Sequence, residues 1–386
     1  MTDFSRDDLF QSFIQGGFEC STHRRRDGRR LDVIRATQHD ARAPEDYGLL
    51  DRQGIRTVRD GLRWHRIERV PYYYDWSNCL PMLRAARATG TQVIWDLFHY
   101  GWPDGLDIWS PAFVHRFTAF ARAAAQVVQS ETDGVPIFVP VNEISFMAWA
   151  GGDVGYLNPF ARGRADALKM QLARAAISAM RAIREVIPQA RFLAAEPIIH
   201  VVGKRHDPGS IERAARHNEA QYHAWDMIAG RHHPELGGEE SLLDLIGVNY
   251  YCHNQWHEGA EPIPWQGGDP AYRPLSELLR ANHARYRRPI LISETGIEAE
   301  LRPAWFRHVA DEVAKAMAQG LPIHGICLYP ILNHPGWDDD RHCSNGLMDY
   351  DRMTFNRSIE RPFAEEVARQ RQRFERLTEQ PWMLQA

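Results

Sequence analysis

Pro136-Ile-Phe-Val-Pro-Val-Asn142-Glu143 and Pro289-Ile-Leu-Ile-Ser-Glu294-Thr-Gly296 share one plan: an apolar run closed by a carboxylate. Val, Ile and Phe fit a pleated backbone. The apolar residues follow one another rather than alternating with polar ones, which is the pattern of a strand buried on both faces. Such strands belong to parallel sheets covered by helices. A charged side chain at the end of one must be solvated, paired or put to use.

Working outward, six further runs of the same kind lie at 12–20, 55–64, 92–99, 191–198, 245–251 and 323–329. With 136–143 and 289–294 they make eight predicted strands. Between them fall helical stretches at 44–54, 76–90, 111–129, 164–186, 210–230, 275–288, 303–320 and 359–377. Pro44 opens the first and Gly54 closes it, as helix punctuation prefers. Those at 111–129 and 164–186 are Ala-rich with a 3.6-residue period. Strand and helix alternating eight times predict one closed parallel (β/α)8 TIM barrel over residues 1–386. The longer insertions follow strands one, four and six, at 21–42, 144–163 and 252–272. Loops that follow strands gather at the C-terminal mouth of such a barrel, where sites are built.

Bulk properties exclude several classes. The chain of 386 residues is 44% hydrophobic and 25% charged, ordinary for a globular protein. A net charge of −4 gives no basic surface for nucleic acid. The densest basic stretch, His23 to Arg30, is interrupted by Asp27 and Gly28 and reads as a solvated loop. No apolar run is long enough to cross a bilayer. The acid-bearing start, Met-Thr-Asp-Phe-Ser-Arg-Asp-Asp8, does not suit a secretory signal. Five scattered cysteines without a CxxC pair suit free thiols and a cytoplasmic location. A homo-oligomer is compatible with all of this.

Polar residues crowd the strand ends: Glu19 and His23, Arg59 and Asp60, Asp96, His99 and Tyr100, Asn142 and Glu143, Glu196, Asn249 to Tyr251, Glu294, and Tyr329 followed by Trp337. Two carboxyl groups in different environments can split a glycosidic bond, one protonated to release the leaving oxygen and one ionised to attack. Arg59 and Tyr251 are the natural partners for the ionised member. Asn142 stands ready for a sugar hydroxyl. Each residue also has a plainer reading. A Glu after a strand is often only a helix-start acid, Arg59 could pair a buried Asp, and His99 could be a satisfied core histidine. Trp102, Trp109, Trp149 and Trp337 fall in predicted loops, where core packing explains them less well. Asn218-Glu219 repeats the Asn-Glu pair inside a predicted helix and is expected on the barrel's outside. Glu196-Pro197 ends a strand and is a rival acid or a ligand to substrate. No HExxH-type spacing, GxGxxG, GxxxxGK[ST] or GxSxG motif occurs, so neither metal nor cofactor is expected.

The ordered series resembles glycoside hydrolase family 1, the β-glucosidase-type barrels. It is carried by residues 12–23, by Glu45-Asp46-Tyr-Gly-Leu-Leu50 through Val58-Arg59-Asp-Gly-Leu-Arg-Trp64, and by Asp96-Leu-Phe-His99-Tyr100-Gly-Trp-Pro103. It continues through Pro140-Val-Asn142-Glu143, Ala224-Trp-Asp-Met-Ile-Ala-Gly230, Asp244-Leu-Ile-Gly-Val-Asn249-Tyr250-Tyr251, Pro289 to Gly296, and Tyr329 to Trp337. The resemblance implies Glu143 as acid/base and Glu294 as nucleophile of a retaining reaction. Arg59, His99, Asn142, Asn249 and Tyr251 would take supporting roles.

The departures lie around the sugar. Ile144 and Thr295 replace the residues usual after the two glutamates. The family's sugar-gripping Gln falls near His23, with Glu19 an alternative, and its sugar-gripping Glu falls on Gly336. Tyr329 stands where a Trp is usual. Asp338-Asp339-Asp340 would repel a phosphate. The resemblance therefore implies a retaining β-glycosidase acting on a glycoside of altered glycone. A transglycosidase would use the same residues, and a catalytically idle sugar-binding barrel would keep them.

Overall fold

The computed structural model describes residues 9–379. The readings made on residues 1–8, and the last residues of the expected 1–386 domain, lie outside that range. Eight parallel strands close on themselves: β1 (Ile14–Gly17), β2 (Thr57–Gly61), β3 (Gln92–Asp96), β4 (Ile137–Val139), β5 (Arg191–Pro197), β6 (Leu245–Asn249), β7 (Ile290–Thr295) and β8 (Ile323–Leu328). Each pairs with its sequence neighbours, and β8 returns to β1 with Ile326 opposite Ile14. This is the (β/α)8 barrel expected from the alternating runs.

The outer layer holds α1 (His39–Arg52), α2 (Leu80–Thr89), α3 (Pro111–Glu131), α4 (Ala165–Val186), α5 (Pro208–Ala220), α6 (Leu275–Tyr286), α7 (Arg302–Ala318) and α8 (Arg361–Glu379). The barrel floor is filled by Ile94, Ile137, Val139, Leu193, Ala195, Leu245 and Leu291. A larger apolar layer lies between strands and helices. No helix among the described residues is long and apolar enough to cross a membrane. All five cysteines are free.

The ladders stop short of several apolar runs, and the shortening positions the site. Past β3 and β4 the chain leaves the sheet but stays tied to it by single backbone bonds. Leu97 N–H donates to Val139 O at 3.0 Å, Asn142 N–H to Phe98 O at 3.0 Å, and Glu143 N–H to Ala195 O at 2.9 Å. The polar strand ends are therefore fixed to neighbouring strands without belonging to the regular sheet.

Three expectations need correction. Helix α1 begins at His39, not Pro44, because buried His39 is anchored to Asp46 and Asp60 at 2.7 Å each. The stretch 210–230 is two helices, α5 and a shorter one at His223–Ile228. Between them Gln221 Oε1 accepts from Ile199 N–H and Asn218 bonds both backbone groups of Val201, turning the chain onto the strand beside it. Asn218 and Glu219 thus stand outside the barrel, as expected. Trp149 lies in a helical segment, Ala148–Asp153, not a loop, and Trp102 is core, stacked near Phe98.

Candidate active site

Arg59 on β2 is the hub of the mouth. It is fully buried, and its five N–H donors all find acceptors. Nε and Nη2 grip Asp96 at 2.8 and 2.7 Å. Nη2 also reaches Asn142 Oδ1 at 2.6 Å, while Nη1 reaches Glu294 Oε1 at 2.7 Å and the Ser293 carbonyl at 3.3 Å. One side chain thus ties together the ends of β2, β3, β4 and β7. The plainer expectation, that Arg59 pairs a buried Asp, holds, and Arg59 also contacts Glu294.

Glu294 is aimed by an irregularity in β7. Asn249 lies opposite Glu294 while Val248 lies opposite Ile292, and on the other side Leu328 lies opposite Thr295 while Ile326 lies opposite Ile292. Both neighbours therefore see an extra residue in β7, a bulge. Consecutive Ser293 and Glu294 consequently both reach polar partners at the mouth. Ser293 Oγ donates to Asn249 Oδ1 at 2.6 Å, and Tyr251 O–H donates to Glu294 Oε2 at 2.8 Å.

Glu143 receives Asn249 Nδ2–H at 2.8 Å on one oxygen and the Tyr100 hydroxyl on the other. Glu143 and Tyr100 hold φ of 48° and 66°. Non-glycine residues occupy that left-handed region at a cost, and such strain concentrates where geometry serves function. Asn142 is already occupied: its amide nitrogen lies 2.9 Å from Tyr100 Oη and 3.3 Å from His99 Nε2. It therefore supports Tyr100 and Arg59 in this arrangement.

Burial pushes the carboxyl groups of both Glu143 and Glu294 upward. At Glu294 the Arg59 charge opposes this, while the Glu143 charge adds to it. At Glu143 the hydrogen bonds from Tyr100 and Asn249 oppose it and the Glu196 charge adds to it. Two like charges in one buried site do not both ionise readily. Of the two, only Glu294 is in contact with the Arg59 guanidinium, which favours its charged form.

The remaining expected residues form the walls. His99 Nδ1 is 2.8 Å from Asp96 Oδ2. Tyr329 lies under Arg59, whose guanidinium carbon is 5.4 Å from the ring centre. Trp337 packs edge-on against Tyr100 and against His23. Glu19 lines a cavity of about 310 Å³ with Tyr251, Tyr329, Gly336 and Trp337. The His23 ring forms no hydrogen bond among the described residues and packs against Trp337. Glu196 is not at the cavity wall. It accepts Ser145 N–H at 3.0 Å, beneath the short helix that Glu143 begins, and burial pushes its carboxyl up to about 7.

Cys20, Asp96 and His99 come close enough together to ligate a cation. The donor set does not fit one. Arg59 occupies both Asp96 oxygens, and its charge opposes a second cation there. Reading the strand ends missed Ser293 as a site residue, because strict alternation points it away from its neighbour.

A closed parallel barrel with two buried carboxyl groups, one salt-bridged and one not, is a barrel of the glycosidase type. No family model matches the chain. A β-glucosidase from Agrobacterium sp. is 24% identical over 84% of this chain and 82% of its own length. The family 1 β-glucosidase from Exiguobacterium antarcticum superposes with a TM-score of 0.76 at 15% identity, over 95% of this chain and 98% of its own. The β-glucosidase from Thermotoga maritima, solved with glucoimidazole, gives 0.75 at 14% identity over 97% and 99%. The chain is thus similar in sequence to a β-glucosidase and shares its barrel fold with family 1 β-glucosidases.

Proposed function

We propose that the protein is a retaining β-glycosidase. The observation that carries this is the unequal treatment of two buried carboxyl groups: Glu294 is held by Arg59 and Tyr251, while Glu143 has hydroxyl and amide partners but no cation. In the first step a Glu294 oxygen bonds to the anomeric carbon as the bond to the leaving oxygen breaks. Glu143 gives its proton to that oxygen. In the second step Glu143, now ionised, takes a proton from water. The water oxygen bonds to the anomeric carbon and releases Glu294. Tyr251, with a hydroxyl on Glu294, steers the carboxylate toward attack. The glycone differs from that of ordinary β-glucosidases, since Glu19, Tyr329 and Gly336 alter the walls.

Substituting Glu294→Ala tests the assignment. The variant is expected to be inactive on aryl β-glycosides and to regain turnover with azide, giving the α-glycosyl azide. Glu143→Ala with azide is expected to give the β-azide on activated substrates. A Glu294→Ala enzyme as fast as the wild type would end the proposal. So would carboxyl groups much farther apart in a substrate complex than the roughly 5–5.5 Å of retaining enzymes.

A further inference from the structure

Resting on that reading and deepening it, we infer that the cavity takes a glycone carrying a protonated amino group, received by the Glu19 carboxylate. The cavity holds about 310 Å³, at the small end for ligand pockets. Tyr251 joins it to Glu294. Its walls carry Glu19, Glu298, Asp338 and Asp339, against one guanidinium, Arg341, and His334. Arg341 is committed to Glu298 through bonds of 2.8 and 2.6 Å, and its Nε lies 3.9 Å from Asp339 Oδ2. Arg25 and Arg29 approach from behind but bind Asp340, at 2.8 and 3.2 Å. Arg25 also binds the carbonyls of Gly336 and Asp339. Asp338 has only the Tyr156 hydroxyl, at 2.6 Å. The cavity therefore keeps a surplus of negative charge.

Glu19 is the deepest of these acids, with 8% of its surface exposed. Its Oε1 accepts both the Ser21 N–H, at 2.9 Å, and the Ser21 hydroxyl. Its Oε2 has no hydrogen bond among the described residues. His99 stands 3.8 Å away, but its other nitrogen is held by Asp96. Burial works against ionisation of Glu19. The positive charge of His99, which Asp96 helps hold protonated, together with His334 and the two Ser21 bonds, outweighs it, and the carboxyl lies below its usual range. Glu19 lines the cavity, so its second oxygen is available to a donor carried by a ligand there. Against Trp337, outside the cavity lining, His23 leaves both ring nitrogens buried without a partner among the described residues. A side chain at 336 would collide with the Asp339 carboxylate, so Gly336 is what allows that acid to lie against the cavity. A hydroxyl needs one acceptor, whereas an ammonium gains from the whole surplus. A phosphate or uronate meets three carboxylates.

The experiment uses the full-length protein and a panel of aryl β-glycosides. In the panel each ring hydroxyl in turn is replaced by an amine, and each amine is compared with its parent and its N-acetyl derivative. At least one amine is expected to exceed its parent about tenfold or more in kcat/KM, the scale of a charge-assisted hydrogen bond. N-acetylation is expected to remove the advantage. Glu19→Gln is expected to shrink the amine-to-parent ratio to within about threefold. A panel in which no amine exceeds its parent overturns the inference, as does a ratio unchanged in Glu19→Gln. If that variant fails to fold, the wild-type ratio and the N-acetyl comparison decide. Cleavage of parents without amine preference sinks the inference alone. Cleavage of nothing in the panel sinks the glycosidase reading with it.

Discussion

Tyr251→Phe removes one hydrogen bond and almost nothing else. The phenol donates to Glu294 Oε2 at 2.8 Å, while Arg59 holds Oε1 at 2.7 Å. A hydrogen bond to a charged group contributes about 1.5–3 kcal/mol. At 1.36 kcal/mol per pKa unit, its loss raises the Glu294 carboxyl by about 1–2 units. The sign follows from the charge: the phenol favours the carboxylate, so without it the group protonates more readily. The attacking form is the carboxylate, so the acid limb of the kcat/KM profile moves to higher pH by about 1–2 units. If the contact persists into the glycosylation transition state, the rate near neutrality falls by about 10–100-fold. The assay is the pH dependence of kcat/KM on an activated aryl β-glycoside, with near-ultraviolet circular dichroism confirming the fold. Because the two carboxyl groups titrate as a pair, the limb reports the pair, but the direction of the shift is unaffected. An acid limb that stays in place, with rates within about twofold of wild type, would refute both the role of Tyr251 and the choice of Glu294 as nucleophile.

Three further outcomes are expected. Ser293→Ala frees Asn249 Oδ1 of its 2.6 Å bond, letting the amide that holds Glu143 rotate, and kcat is expected to fall about tenfold with a stability loss of about 1–3 kcal/mol for the acceptor left unmet; wild-type kcat in the folded variant would break the link. Glu196→Gln removes a charge that resists ionisation of Glu143, so the basic limb of the pH profile should move to lower pH, and an unmoved limb counts against Glu143 as the acid. His39 is buried between Asp60 and Asp46; burial disfavours its charge, but those carboxylates prevail and push it up to about 9. The raised value means stabilisation fully present below about pH 6.5 and lost as pH rises through about 9, on the order of 3 kcal/mol. Denaturant unfolding across that window should show the loss in the wild type and not in His39→Gln, and equal slopes in both would contradict it.

The barrel was legible because strands buried on both faces leave an unbroken apolar signature, and helices between them leave a 3.6-residue one. Both glutamates were legible as charges at the ends of such runs. Ser293 was hidden because sequence carries no mark of the β7 bulge: the extra residue is set by register with β6 and β8, which only the closed barrel imposes. The break between α5 and the helix at His223–Ile228 was hidden for a related reason. Asn218 and Gln221 are acceptable helix residues until Ile199 and Val201 stand beside them offering backbone groups. Trp102 was misplaced because a loop that folds back over a barrel can enter the core as readily as a helix face.

Arg59 explains how so much polarity is tolerated at the mouth and why it remains reactive. A buried guanidinium is costly unless every donor is met, and here all five are. Were its charge devoted to Glu294 alone, the carboxylate would be well neutralised and a poor nucleophile. Asp96 instead takes the bidentate pair of bonds, at 2.8 and 2.7 Å, and leaves Glu294 one. In the proposed mechanism the guanidinium would favour charge on Glu294 over Glu143 while leaving that carboxylate able to attack. The same division fixes Asn142, which aligns Tyr100 on Glu143. Charge allocation on one side of the pair and geometry on the other therefore come from a single side chain. Loss of Arg59 would therefore leave Asp96, Asn142 and Glu294 without their shared partner.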